Sequence, residues 1–434
     1  MVSTYSLELS TYLLIDRMMQ IGIRPDVQHF AGLSERLGME LECIQAILDA
    51  ETGCPGFNAN SYLQVGELLF GTYGLEPIKL TDTGDPSTND KILEALEHAN
   101  PQLPTISTIR EFREIYKLKS TFVDAIPDYL ARHPRDGRIH ATFRTTRVVT
   151  GRLAASNPNI LALPKYGKFA SDFRRGLIAE SGHVLAEWDL SQIELRVLAH
   201  LSQDPVMLSI YRGELRNPDN SLIDLHARLG QRIFGGVAAD YAKGERRRHA
   251  KIINFMIPMG AQAQGLCLEL RKNGLDIDED DAQRWLEETM ALYAGVPVYQ
   301  QACIAEARRH GYVRCPSGRI RYIGGIHSPR QHARAEAERF AFSTKIQEGA
   351  QWIMKQAEAC IWNDLLVRLW GQGNWIEPLM QVHDSILLEC ENEVLARQVH
   401  PLMQAMMTYP VDGFSVPIET SGDWGLNLAD MQTF

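Results

Sequence analysis

Three short stretches of this 434-residue chain carry side chains whose types and spacing could do chemistry. In the first, Ala186-Glu-Trp-Asp-Leu-Ser-Gln-Ile-Glu-Leu-Arg196, an apolar run ends on one carboxylate, Asp189, and passes into a polar, amphipathic segment. The second, Leu379-Met-Gln-Val-His-Asp-Ser-Ile-Leu-Leu-Glu389, sets His383 and Asp384 between apolar runs in the manner of a tight hairpin. A carboxylate at a strand end is well placed to hold a metal ion beside an anionic substrate, provided a second acid meets it. Taken alone, an Asp between apolar runs is more often a turn or cap residue. The third stretch, Arg246-Arg-Arg-His-Ala-Lys-Ile-Ile-Asn-Phe-Met-Ile-Pro-Met-Gly260, puts Arg247, Lys251, Phe255 and Met259 at every fourth position, on one face of a helix. A solvated basic face is the ordinary explanation of such a run. Cations leading to a ring also match a nucleoside triphosphate: Arg and Lys for the phosphates, an apolar plate for sugar and base.

The elements that must position these residues can be read coarsely. Residues 1 to about 50 carry apolar residues at helical spacing until Gly53-Cys-Pro-Gly56 breaks them off. From 57 to 135 the pattern is again helical, interrupted by the Thr81 to Asp90 loop. Arg135-Asp-Gly137 is a turn, after which Ile139 to Val149 alternates as a strand would. Ala179-Glu-Ser-Gly182 is a second turn, feeding a strand over Val184 to Trp188. Helical sequence runs from 190 to about 310. It is followed by a hairpin around Cys315-Pro-Ser-Gly318, a long helix from about 330 to 370, and the Asp384 hairpin.

Composition sets limits. A chain of this length exceeds one ordinary domain, and 45% hydrophobic with 23% charged residues describes a globular protein. The net charge of -10 runs against nucleic-acid binding as a bulk property, yet phosphate contacts need positive charge only along their track. Arg174, Arg175, Arg246 to Arg248, Arg319, Arg321 and Arg339 can supply one. Cysteines at 43, 54, 267, 303, 315, 360 and 390 lack paired C-x-x-C spacing, which argues against zinc or disulfide frameworks and suits a reducing cytoplasm. Glu8 and Asp16 interrupt the N-terminal apolar stretch, so it does not read as a signal peptide, and no window has the apolar length of a membrane span.

In this order the three stretches resemble motifs A, B and C of the family A DNA polymerases, the bacterial DNA polymerase I group. Thr150-Gly-Arg-Leu153, Asn157-Pro-Asn159 and Pro164 are similar to that family's primer-template contact segment, and Leu118-Lys-Ser-Thr121 and Pro86-Ser-Thr88 to its thumb. Ala337-Glu-Arg339, Gln347 and Ser421-Gly-Asp-Trp424 also fit, so the resemblance covers nearly the whole chain. It implies an α+β right-hand polymerase fold. Residues 1–135 would hold the thumb and N-terminal helices, 136–200 and 326–434 a discontinuous palm with an antiparallel sheet, and 201–325 helical fingers.

The implied activity is template-directed addition of dNTPs to a primer 3'-hydroxyl by two Mg2+ ions, with Mn2+ as a substitute, in a monomer acting on primer-template DNA. Asp189 and Asp384 would bridge the metals. Arg247 would grip the terminal phosphate, Lys251 would stabilise charge near the α-phosphate and donate a proton, and Phe255 would stack on the nucleotide. His226, in Asp224-Leu-His226, matches the histidine that contacts the triphosphate, although a lone His is more often structural. Arg152 and Gln347 would probe the minor groove, Arg339 would touch the template strand, and Asn159 and His383 would lie along the DNA. Glu194 would close the space of a ribose 2'-hydroxyl; otherwise it is an exposed helix glutamate. Thumb-like sequence starts near Met1, so the resemblance leaves no room for a proofreading domain in this chain.

Four departures limit the carry-over: Leu190 stands where an aromatic is usual, Met259 where motif B has a tyrosine, Ser385 where motif C has an acid, and Leu161 for a glutamine. Pro258 should kink or end the motif B helix. Two other classes stay open. One is a related polymerase with reverse transcriptase or ribonucleotide activity, separated by its choice of template and nucleotide. The other is a non-catalytic DNA-binding protein, disfavoured because a scaffold has no reason to keep like charges together without a metal.

Overall fold

The computed structural model describes residues 4–434 apart from 82, 165–166, 218–219, 410 and 412. Residue 82 of the expected Thr81 to Asp90 loop, and Met1, therefore lie outside the described residues. The alternating run Val184–Leu190 is the central strand of a five-stranded antiparallel sheet. Thr420–Gly425 pairs with it on one side and Ser385–Cys390 on the other, while Gln432–Thr433 and Ile376–Val382 form the edges.

Opposed residues of a ladder share a face. Val184, Ala186, Trp188 and Leu190 therefore line one side with Ile386, Leu388 and Cys390, all buried. Trp188 Nε1 donates to His400 Nδ1 at 3.0 Å, fastening this side to the Glu393–Met407 helix. Each large apolar side chain so buried stabilises the fold by about 1.5–3 kcal/mol. Register follows from that burial, because a slip of one residue would turn Trp188 outward and Asp189 into the core.

The other side carries Leu185, Glu187 and Asp189, with Ser385, Leu387 and Glu389 opposite them. Arginines close its far end, where Arg138 Nη1 bonds Glu389 at 2.8 Å and Arg17 Nε bonds Glu377 at 2.7 Å. Arg17 belongs to the first helix, Thr4–Ile21, which packs on the Ile376–Val382 strand and on the long helix Gln331–Cys360.

Two expected elements differ. The helical pattern of residues 1 to about 50 is divided at Gly22, whose φ of 68° favours glycine and whose added Cβ would lie 2.7 Å from the Ile139 carbonyl oxygen. Arg24–Pro25 then pairs with Leu177–Ile178, and Asp26 caps the next helix, Val27–Thr52, by accepting from His29 N. The Ile139 to Val149 strand shrinks to Thr142–Arg144, because its partner, Ala154–Ser156, offers only three residues to pair with. The hairpin about Cys315 to Gly318 is present, joining Tyr312–Arg314 to Ile320–Tyr322.

Among the described residues, apolar side chains gather into one large core, a separate smaller one, and a minor cluster of Ala227, Tyr241 and Ala250. The smaller contains Leu229, Ile253, Ile257, Leu266, Leu270 and Trp285, and it unites the helices Leu225–Phe234, Glu245–Met256, Ala263–Lys272 and Glu279–Leu292. Glu245–Met256 carries the basic stretch and is called the site helix below.

Candidate active site

Backbone hydrogen bonds bring the two separated acids together. Asp189 sits one residue from the end of the central strand, opposite Ser385. Asp384 is the second residue of the two-residue loop closed by the Val382–Ser385 pair, and Leu190 N donates to its carbonyl at 3.0 Å. His383, the first loop residue, takes a left-handed φ of 58°, as a tight hairpin turn requires. Both acids are half-buried where the strands end. Two hard oxygen donors open to water suit a small divalent cation that keeps several waters and takes its remaining ligands from substrate. Among the described residues no group of three His, Cys, Asp or Glu side chains is arranged for a metal.

Ser385 places one more carboxylate here. Its hydroxyl donates to Glu187 Oε1 at 2.8 Å, and Glu187 lies two positions before Asp189 on the same side of the sheet. Sequence reasoning passed over Glu187, although strand alternation held the signal.

Glu194 opens the helix Ile193–Ser202, which Arg196 anchors. Arg196 is 3% exposed, and its guanidinium donates to the carbonyls of Ser191 and Pro417 and to Glu419. Glu194 is no ordinary exposed helix glutamate: it is 8% exposed and ion-paired with Arg152. Burial pushes its carboxyl above the usual range, Arg152 opposes that, and the nearby charge of Asp384 adds to the rise. Arg152, Glu194 and Asp384 thus form one electrostatic neighbourhood. Asn159, Arg339 and His383 are exposed and Gln347 is half-buried; Arg339 and Gln347 lie on one face of the long helix.

On the site helix, Lys251 and Phe255 are exposed and Arg247 half-exposed, while Ala250, Ile253 and Asn254 are buried behind them. Met259 departs from the expected stripe. The helix ends at Met256, two residues before Pro258, whose missing N–H and ring block another turn, and Met259 packs against the large core instead. His226 is 2% exposed, and its Nδ1 lies 3.2 Å from Asn254 Nδ2. Burial, followed by the smaller effects of Arg247 and Lys251, lowers its pKa to about 4 against the pull of Asp224, so the ring is neutral. Arg247 is held by Asp224, Nη1 to Oδ1 at 2.8 Å and Nη2 to Oδ2 at 3.0 Å. Asp224 entered the sequence reading only as a neighbour of His226, and a side-chain partner so distant in sequence leaves no local signal.

A model of DNA polymerase family A matches residues 27–430. The chain belongs to that family. It is 35% identical over 410 residues to the thermostable DNA polymerase I of Thermus aquaticus, covering 94% of this chain and 46% of that protein. To the DNA polymerase I of Pseudomonas aeruginosa it is 33% identical over 360 residues, 82% of this chain and 37% of the relative. The chain therefore spans less than half the length of these curated relatives. A solved structure described as the POL domain of Pol1 from M. smegmatis, complexed with DNA primer-template and dNTP, aligns with a TM-score of 0.83 at 28% identity, over 97% of this chain and 70% of that one. The α+β architecture is thus that of a family A polymerase domain, with the right-hand fold expected from sequence. No helix among the described residues is long and apolar enough to cross a membrane.

Proposed function

We propose that the chain is a template-directed DNA polymerase that adds dNTPs to a primer 3'-hydroxyl. The observation that carries this is the ladder register that sets Asp189 beside Asp384 where the strands end. Residues 136–200 and 326–434 form the palm in this reading, 201–325 the fingers, and 1–135 the thumb with the N-terminal helices. The relative captured with primer-template and dNTP supports the same partners here.

Asp189 and Asp384 would hold a pair of Mg2+ ions. When bound, these would activate the primer hydroxyl and steady the leaving phosphates. Lys251 and Arg247 neutralise the triphosphate, and Phe255 offers its exposed ring to the nucleotide. The primer oxygen forms a bond to the α-phosphorus, the bond to the bridging oxygen breaks, and Lys251 supplies a proton to departing pyrophosphate; the primer's own proton passes to water. His226, being neutral, serves as a hydrogen-bond partner rather than a charge. Glu194, buried and paired with Arg152, would meet a ribose 2'-hydroxyl. No described element is assigned a proofreading role.

The deciding experiment extends a labelled primer on DNA and on RNA templates, with dNTPs or NTPs and with a matched or mismatched 3' end. Extension on DNA with dNTPs, and no trimming of the mismatch, is expected. A Glu194→Ala variant should accept NTPs more readily, and equal discrimination in variant and parent would remove the sugar-sensing role. Preference for RNA or NTPs in the parent would favour the alternative polymerase classes.

A further inference from the structure

The residue assigned to the terminal phosphate is already occupied by an anion of this chain. A guanidinium has five N–H donors in a planar fork, and Asp224 takes two of those of Arg247 in the bidentate geometry that a phosphate would use. A third goes to the Tyr241 carbonyl at 3.0 Å. The pair is partly shielded, each side chain about one-third exposed.

Asp224 also has somewhere to leave its charge. It caps the helix Leu225–Phe234, accepting from Ala227 N at 2.9 Å, so after losing Arg247 its carboxylate would still face the positive end of a helix. Burial opposes its ionisation most strongly, but the bonds from Arg247 and Ala227 more than offset this and hold the carboxyl below its ordinary range.

We propose that Asp224 is a competing anion for Arg247, a latch that the terminal phosphate of an incoming nucleotide must displace before Arg247 can grip it. The inference rests on the assignment of Arg247 to that phosphate. Asp224 acts through Arg247 and is a positioning residue. The latch reduces what Arg247 contributes to nucleotide affinity, and only ligands whose phosphate chain reaches Arg247 experience it.

The variant to make is Asp224→Asn, because asparagine caps a helix about as well as aspartate while removing the charge. Equilibrium binding is measured with the enzyme on primer-template DNA bearing a dideoxy-terminated primer, so that no turnover occurs. The dNTP dissociation constant is expected to fall about tenfold, equivalent to about 1.4 kcal/mol, while that of the matching dNDP changes much less. Unchanged or weakened dNTP binding overturns the proposal, as does equal tightening of dNTP and dNDP. Arg247→Ala distinguishes the two layers. If it leaves dNTP affinity intact, the phosphate assignment fails and the latch with it; if it weakens binding while Asp224→Asn does not tighten it, only the latch fails. Should Asp224→Asn melt early, Asp224→Ser, another uncharged cap, carries the same test.

Discussion

The acidic and the cationic parts of the candidate site are built in different ways. Asp189 and Asp384 are set by main-chain hydrogen bonds between strands of the large core, so their separation changes only if the sheet itself deforms. Arg247 and Lys251 stand on a helix that reaches the smaller core through the buried Ile253, and Arg247 is oriented by a side-chain ion pair. The first construction leaves less freedom than the second, a division that under the proposed function would keep the metal-holding carboxylates still while the grip on substrate adjusts.

The largest test of this contrast is removal of the fixed side. Asp189→Ala and Asp384→Ala are each expected to slow primer extension at least about a thousandfold, about 4 kcal/mol in barrier, with DNA affinity nearly unchanged in a fluorescence-anisotropy titration. Retained extension in either variant would sink the assignment. The adjustable side breaks through its core: Ile253 is fully buried, and Ile253→Ala should destabilise the smaller core by about 2–5 kcal/mol. Hydrogen exchange should then quicken in Glu245–Met256 but not in Val184–Leu190, whereas equal acceleration in both would show that the two cores open as one.

A smaller effect concerns His226. Its pKa falls from an ordinary 6.5 to about 4, so across that window the unfolded chain binds a proton that the folded chain refuses. Stability should decline as pH drops from 6.5 towards 4, by up to about 3 kcal/mol. His226→Asn should flatten that part of a urea-midpoint profile, and an unchanged slope would assign the acid sensitivity elsewhere.

The elements that hold the candidate residues were legible because local pattern fixes them. An apolar run from Val184 ends on Asp189, Asp384 interrupts two apolar runs, and the site helix repeats its cations every fourth residue. What the sequence hid was set by distant partners. Nothing local tells that Gly22 must accommodate the Ile139 carbonyl, that Arg152 will pair with a buried Glu194, or that Asp224 will hold Arg247. The Ile139 to Val149 misreading has the same origin, since strand length is decided by the partner as much as by alternation.

The hydrogen bond from Ser385 to Glu187 also bears on how this chain should be engineered. Grafting the acid usual in motif C, as Ser385→Glu, would put two carboxylates where a donor and an acceptor now meet, one on each of two paired strands. The expected product melts at a lower temperature than the parent and recovers when Glu187→Ala is added; full stability of the single variant would show that the two positions are independent. Consensus substitution at this hairpin is therefore a two-site exchange, in which a negative charge changes strands without changing in number.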